Sequence, residues 1–286
     1  MKGDLHVHSY LSDGSNSPEW LFQLAGQEGL GCLAITDHDC LPDPERDVEL
    51  SRTYGVMAIH GTEMSLYDTK RKRRVHILCY LPDDMEPLRK LCNSISSERM
   101  SVGLEMAALV AEKYPVTVED IRAVAKMSTS LFKQHIMLTL MHAGYSTELY
   151  GSLWQELFDN KTGTCCRKGT YPDVYEVLPQ IRKAGGISVM AHPYTYRSTE
   201  LLEELIEQKL LDGIEVWSSK STVEQETHLL QLAERNGLIP TGGSDFHGAT
   251  ASRVSPLGCA FTPQASIEAL LALKKARSSL RETGTR

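Results

Sequence analysis

The chain has 286 residues, 41% of them hydrophobic and 23% charged, with a formal net charge of −7. That length suits one barrel-sized domain or a domain with an inserted module. No apolar run reaches the ~20 residues of a membrane-spanning helix, no secretory signal is expected from the residues before the first motif, and the acidic balance disfavours sequence-independent binding to nucleic acid.

Seven cysteines without CxxC spacing read as reduced thiols, so a cytoplasmic protein is expected. Runs rich in Val and Ile, bounded by Gly, Pro or Asp, predict strands over 4–9, 32–36, 56–66, 75–81, 186–191, 213–217 and 239–243. Helical patterns lie between them. Ser17-Pro18-Glu19 opens one, because serine caps, proline fits the first turn and glutamate suits the positive end. Others cover 198–208 and 223–236, the second stopped by Asn236-Gly237. Alternation of strand and helix predicts an α/β fold with a mainly parallel sheet, open or closed.

One stretch breaks the alternation. From 96 to 168 only helical patterns occur, over 98–112, 117–126, 130–143 and 147–159. This predicts a helical insertion (96–168) between two parts of the main domain (1–95 and 169–286). The polar tail 278–286 is expected to fray.

The chemistry-bearing residues fall mostly at expected strand ends. His6 and His8 are i and i+2 on the first strand, so they share a face. Asp13 follows. The second strand ends at Asp37-His38-Asp39, the third carries Glu63, the next begins at His76, another ends at His192, and the last ends at Asp245-Phe246-His247. Strand C-terminal ends of parallel α/β folds meet at one mouth. Six imidazoles and three carboxylates exceed one metal's needs and suit two or three, with Glu63 as a bridge. Mixed nitrogen and oxygen donors without thiolate point to Mn, Fe or Zn. Such a cluster supplies hydroxide at neutral pH and neutralises developing charge, which suits phosphate esters. His60, His142 and His228 fit no strand end and read as structural. Gly29-Leu30-Gly31-Cys32-Leu33-Ala34 precedes a strand instead of following one, so it is not a dinucleotide loop.

The stretches DLHVHSYLSDG, AITDHD, GTEMS, VHILCY, MAHPY, GIEVW and GGSDFHG resemble the polymerase-and-histidinol-phosphatase (PHP) family of metal-dependent phosphoesterases. The resemblance implies a distorted (β/α)7 barrel with an inserted all-helical domain. It implies His6, His8, Glu63 and Asp245 as ligands of one metal, and Asp13, His38, His192 and His247 as ligands of another, with His76 joining Glu63 at a third. The helical stretch resembles a branch that includes nucleoside 3′,5′-bisphosphate phosphatases and cyclic phosphodiesterases of phosphorylated ribose. There an Arg-x-His usually meets the substrate phosphate; here Lys133-Gln134-His135 stands instead, and lysine lacks the bidentate fork. A His-rich HPSH often follows GIEVW, where this chain has Ser218-Ser219-Lys220-Ser221.

The expected reaction is hydrolysis of a small metabolite carrying two phosphates, of the nucleoside 3′,5′-bisphosphate type, by a metal-bridging hydroxide. Asp13, His192 and Asp245 are the catalytic candidates, with His192 or Asp245 passing a proton to the leaving oxygen. Lys133, His135, Arg167, Lys168, Lys220 and Arg253 are the candidates for phosphate contact. The alternatives are a cyclic phosphodiesterase acting on 5-phosphoribose 1,2-cyclic phosphate, an exonuclease at RNA 5′ ends, and a metal-binding module without chemistry. Neither a membrane nor a stable nucleic-acid complex is expected, and the oligomeric state is open. Glu215 is expected to orient a ligand histidine. The basic run Lys70–Arg74 reads either as a rim that attracts polyanions or as a solvated hairpin tip.

Overall fold

The computed structural model describes residues 1–284, with side chains through Ser279. In chain order the elements are β1 (Lys2–Val7), α1 (Pro18–Gln27), β2 (Cys32–Ile35), α2 (Pro44–Tyr54), β3 (Met57–Ala58), β4 (Gly61–Asp68) and β5 (Arg73–Tyr80). A helical stretch follows: α3 (Met85–Ala111), α4 (Val118–Val124), α5 (Lys133–His142) and α6 (Ser152–Phe158). Then come α7 (Val174–Lys183), β6 (Ile187–Met190), α8 (Thr199–Glu207), β7 (Gly213–Ser218), α9 (Val223–Asn236), β8 (Ile239–Gly243), β9 (Thr262–Pro263) and α10 (Gln264–Gly284). Residues 278–284, expected to fray, belong to α10; Thr285 and Arg286 lie outside the described residues.

Local chemistry explains several boundaries. Ser17 Oγ accepts the Trp20 N–H to start α1, with Pro18 in the first turn. Thr222 and Gln225 form a reciprocal capping box on α9, and Gly237 ends it at φ +64°, a left-handed turn that glycine enters without cost. The single strand expected over 56–66 is two, β3 and β4, separated at Ile59-His60.

The strands form two sheets, ordered β3-β2-β1-β9 and β4-β5-β6-β7-β8. Pairing is parallel for β1–β2, β2–β3, β6–β7 and β7–β8, and antiparallel for β4–β5, β5–β6 and β1–β9. Among the described residues the sheets are therefore mixed, with four parallel pairings and three antiparallel, two of which involve β5. The physical cause is the short turn after Asp68, with Lys72 at φ +56°, which sends β5 straight back along β4. The sheets are bridged at two places. The Val7–Phe246 bridge joins β1 to the segment after β8, with Asp245 N–H on the His6 carbonyl at 2.8 Å. The His38–Glu63 bridge joins the end of β2 to β4.

Apolar residues separate into clusters. One packs α7, α8 and α9 with the first half of α3 (Leu88, Cys92, Ile95) against the larger sheet. Another consists of residues between Met106 and Cys165, built from the second half of α3 with α4, α5 and α6. The pattern expected over 98–112 is thus the second half of one longer helix that belongs to both clusters. No helix among the described residues is long and apolar enough to cross a membrane.

Candidate active site

The strand ends at both bridges bring the predicted histidines and carboxylates together. Glu63, near the start of β4, stands at the centre. Its Oε2 lies 3.2 Å from His6 Nε2, 3.2 Å from His8 Nε2 and 3.1 Å from His38 Nδ1. Its Oε1 lies 2.8 Å from His76 Nδ1 and 2.9 Å from His192 Nε2. Asp13 Oδ1 is 3.3 Å from His247 Nε2 and 4.0 Å from His38 Nε2. Asp245 Oδ1 faces His8 Nε2 at 3.3 Å and His247 Nδ1 at 3.4 Å.

Donor atoms within 4.8 Å of one another define four overlapping groups. These are His8–Asp13–His38–His247, His6–Glu63–His192, His6–His8–Asp245 and His38–Glu63–His76. His192 accordingly sits with His6 and Glu63 and shares no group with Asp13, His38 or His247. His76 lies in the middle of β5, not at a strand end, and reaches the cluster because β5 pairs directly with β4.

Other residues hold these side chains in place. Glu215 on β7 takes His6 Nδ1 at 2.7 Å on one oxygen and the His192 backbone N–H at 2.7 Å on the other. With Nδ1 held there, His6 Nε2 faces Glu63 in the cluster. Asp37 accepts Ser9 N–H and the hydroxyls of Ser9 and Ser12, folding the loop that delivers Asp13. Gly243 is a glycine because a Cβ there would come within 2.4 Å of His6 Cβ. Asp39, His192 and Asp245 all hold positive φ, the kind of backbone strain that packing maintains at functional sites.

Charge explains what the cluster takes. Burial opposes ionisation of His6, His8, Asp13 and Glu63. Even so, Glu215 and Glu63 hold His6 up, and Asp245 and Glu63 raise His8 to about 10. His247 and His38 push Asp13 down, and His6, His76 and His38 hold Glu63 well below the usual carboxylate range. The buried carboxylates demand positive charge among them. His6 Nε2, His8 Nδ1 and Nε2, His38 Nδ1 and Asp13 Oδ1 are buried with no hydrogen-bond partner. Buried polar atoms are rarely left orphaned. Convergent imidazole nitrogens and carboxylate oxygens fit divalent cations, which satisfy both demands with the imidazoles neutral.

The cavity over the cluster is lined by Glu63, His192, Asp245, Lys220 and Arg253, among others. Lys220 places its ammonium on Asp245 Oδ2, and Arg253 donates to the Ser219 carbonyl at 3.4 Å. A second cavity, of about 360 Å³, shares His38, His76, Gln134 and Tyr196 with the first and adds Arg74, Arg99, Lys133 and Arg167. Lys133 Nζ donates to the Phe158 carbonyl at 3.1 Å and lies 3.4 Å from Cys166 Sγ. Exposed Arg167 donates to the Cys166 carbonyl. Lys168 lines a groove outside this cavity.

His135 is not brought to either cavity. It is buried, and its Nδ1 accepts the Phe132 N–H at the start of α5. The residue beside it does reach the site, since Gln134 Nε2 donates to Asp13 Oδ2 at 3.1 Å. Arg99 on α3 escaped the sequence reading altogether. Its guanidinium bonds Asp39 Oδ2 at 2.6 Å and Ser65 Oγ at 2.8 Å and lies over the Phe132 ring, and its Nη1 is buried without a partner. No motif or spacing in Ser96-Ser97-Glu98-Arg99 marks it. Two residues of the Lys70–Arg74 turn are taken up by α8. Lys70 and Arg71 pair with Glu204, and Arg71 also with Asp68 and Glu200.

Comparison with known proteins bears on this geometry. The PHP domain family model matches residues 4–186. A phosphoribosyl 1,2-cyclic phosphate 1,2-diphosphodiesterase of Eggerthella lenta is 38% identical over 247 residues, covering 86% of this chain and 94% of that protein. A 3′,5′-nucleoside bisphosphate phosphatase of Chromobacterium violaceum is 27% identical, covering 85% of this chain and 86% of that protein. The crystal structure of a protein described as a metal-dependent phosphoesterase from Bifidobacterium adolescentis superposes with a TM-score of 0.85 at 29% identity. It covers 95% of this chain and 96% of that one.

Proposed function

Because this chain belongs to the PHP domain family and is a phosphoric ester hydrolase, we propose that it acts on ribose 5-phosphate bearing a 1,2-cyclic phosphate. The observation that carries this reading is the shared wall of the two cavities. A cyclic phosphate over the cluster leaves the 5-phosphate to the basic cavity of Arg74, Arg99, Lys133 and Arg167. Holding both phosphates fixes the reacting group against the cluster and removes the entropy of finding it. The Eggerthella relative's activity supports the same substrate.

In this reading His6, His8, Glu63 and Asp245 would hold one divalent cation, Asp13, His38 and His247 a second, and Glu63, His76 and His192 a third, with Mn, Fe or Zn as the native metal. When bound, such ions lower the pKa of water and neutralise charge on the phosphoryl oxygens. Glu215 keeps His6 oriented. Asp245 Oδ2 is taken by Lys220, which leaves Oδ1 for the cluster. His192 and Asp245 line the cavity, but in this reading both are taken up as ligands, so neither carries the proton to the leaving oxygen. Gln134 orients Asp13. The division of apolar clusters supports a main domain in the form of a distorted (β/α)7 barrel, interrupted by a helical domain over about 96–168.

A nucleoside 3′,5′-bisphosphate is the second reading, favoured by the Chromobacterium relative and by the same pair of cavities. It comes second because the identity to that relative is 27%, against 38% to the Eggerthella protein. The test is turnover of the two compounds by the Mn-loaded protein side by side, followed by phosphorus NMR, since opening the cyclic diester leaves a phosphomonoester and frees inorganic phosphate only after a second hydrolysis. Turnover of the cyclic phosphate with a kcat/KM well above that of the bisphosphate is expected. The reverse order assigns the nucleotide, and silence on both overturns the two-phosphate reading.

A further inference from the structure

Whatever joins the two phosphates must cross from one cavity to the other. Tyr196 lines both, and also the groove outside them. Its ring centroid lies 4.9 Å from that of His76 and 5.8 Å from that of His192, at tilted and edge geometries. Its hydroxyl has no hydrogen-bond partner among the described residues, so the group on offer at this junction is the ring.

The loop that carries it is fastened from outside. Arg197 follows at φ +54°, and its carbonyl accepts Arg73 Nη1 at 2.5 Å. Ser198 Oγ reaches the Arg74 carbonyl at 3.5 Å, and Ser198 N–H closes the turn on Pro193 O at 2.9 Å. Part of the Lys70–Arg74 run thus acts as an anchor for this loop, and that accounts for residues the proposed chemistry leaves unused. Aromatic faces that bridge an apolar and a polar neighbourhood are well suited to the C–H face of a sugar.

We propose that Tyr196 is the specificity-determining residue of this site, its ring seating the sugar that links the two phosphates. This rests on the two-phosphate reading above, and the experiment separates the two.

Three substrates are compared by kcat/KM: ribose 5-phosphate 1,2-cyclic phosphate, ribose 1,2-cyclic phosphate, and ethylene phosphate, which has the same five-membered ring without a sugar. The first pair reports the second phosphate, and the second pair reports the sugar. In Tyr196→Ala the preference for ribose 1,2-cyclic phosphate over ethylene phosphate is expected to fall about tenfold, chiefly through KM, in line with the upper range for an aromatic contact. Tyr196→Phe is expected to restore it. Equal losses on all three substrates, no change in the preference, or a Tyr196→Phe variant as impaired as Tyr196→Ala each overturn the proposal. If the wild-type protein treats the 5-phosphorylated and unphosphorylated sugars alike, the two-phosphate reading falls, and the sugar comparison still decides the role of Tyr196.

Discussion

The metal-ligating cluster and the basic cavity share a wall but are built differently. The cluster consists of short side chains on or just beyond strands, some of them braced by buried acids: Glu215 takes His6, and Asp37 folds the loop that carries Asp13. The basic cavity is lined by long side chains, several from helices and loops, that take part of their support from backbone carbonyls: Lys133 from Phe158 and Arg167 from Cys166. In the proposed reading, chemistry rests on the strand frame and recognition on longer side chains from helices and loops. The join is Arg99, which faces the basic cavity and pairs with Asp39, the residue after His38.

The largest effect should come from the centre of the cluster. Glu63→Gln removes the charge that faces five imidazoles. Metal assistance contributes several kcal/mol at about 1.36 kcal/mol per tenfold, so turnover should fall by roughly 10³, with bound metal reduced on elemental analysis. A variant that keeps its metal and more than a tenth of its rate would break the contrast, since the cluster would then not be the reacting centre.

The join comes next. Arg99→Met leaves Asp39 buried without its partner, which costs about 3–5 kcal/mol. A lower denaturant midpoint and weaker turnover should appear together, with Arg99→Lys recovering part of both. Unchanged unfolding would show that the two regions are not coupled through this pair.

The smallest effect should come from the basic turn, which differs from the basic cavity in having two of its cations paired with α8. The hydrogen bond from Arg71, with help from Tyr175 and Lys70, pulls the Glu204 carboxyl down to about 2. A depressed carboxyl adds stability above its unfolded value, near 4.5, and loses it as the pH falls toward 2. Glu204 is solvent-facing, so the gain is modest. The melting temperature of Glu204→Gln should lie slightly below wild type at pH 7, and the gap should narrow between pH 4.5 and pH 3. A gap that widens on acidification would contradict the assignment.

The cluster was legible in the sequence because its signals are short-range. His6 and His8 share a face by strand periodicity alone, and motifs such as Asp37-His38-Asp39 and Asp245-Phe246-His247 mark strand ends where parallel topology gathers side chains. The helical character of 96–168 was equally plain from its missing strands. Three things depended on tertiary structure. The turn after Asp68 made β5 antiparallel, so that His76 reaches Glu63 from mid-strand. Capping of α5 drew His135 inward and left Gln134 facing Asp13. The long cations chose their partners only after the helices had packed: Lys133 turned to Phe158, Lys220 to Asp245, and Arg99, which no local pattern marks, closed on Asp39. The physical reason is reach. A short side chain on a strand points where its backbone sends it, while an arginine or lysine samples many rotamers and settles on whatever carboxylate or carbonyl the finished fold puts nearby.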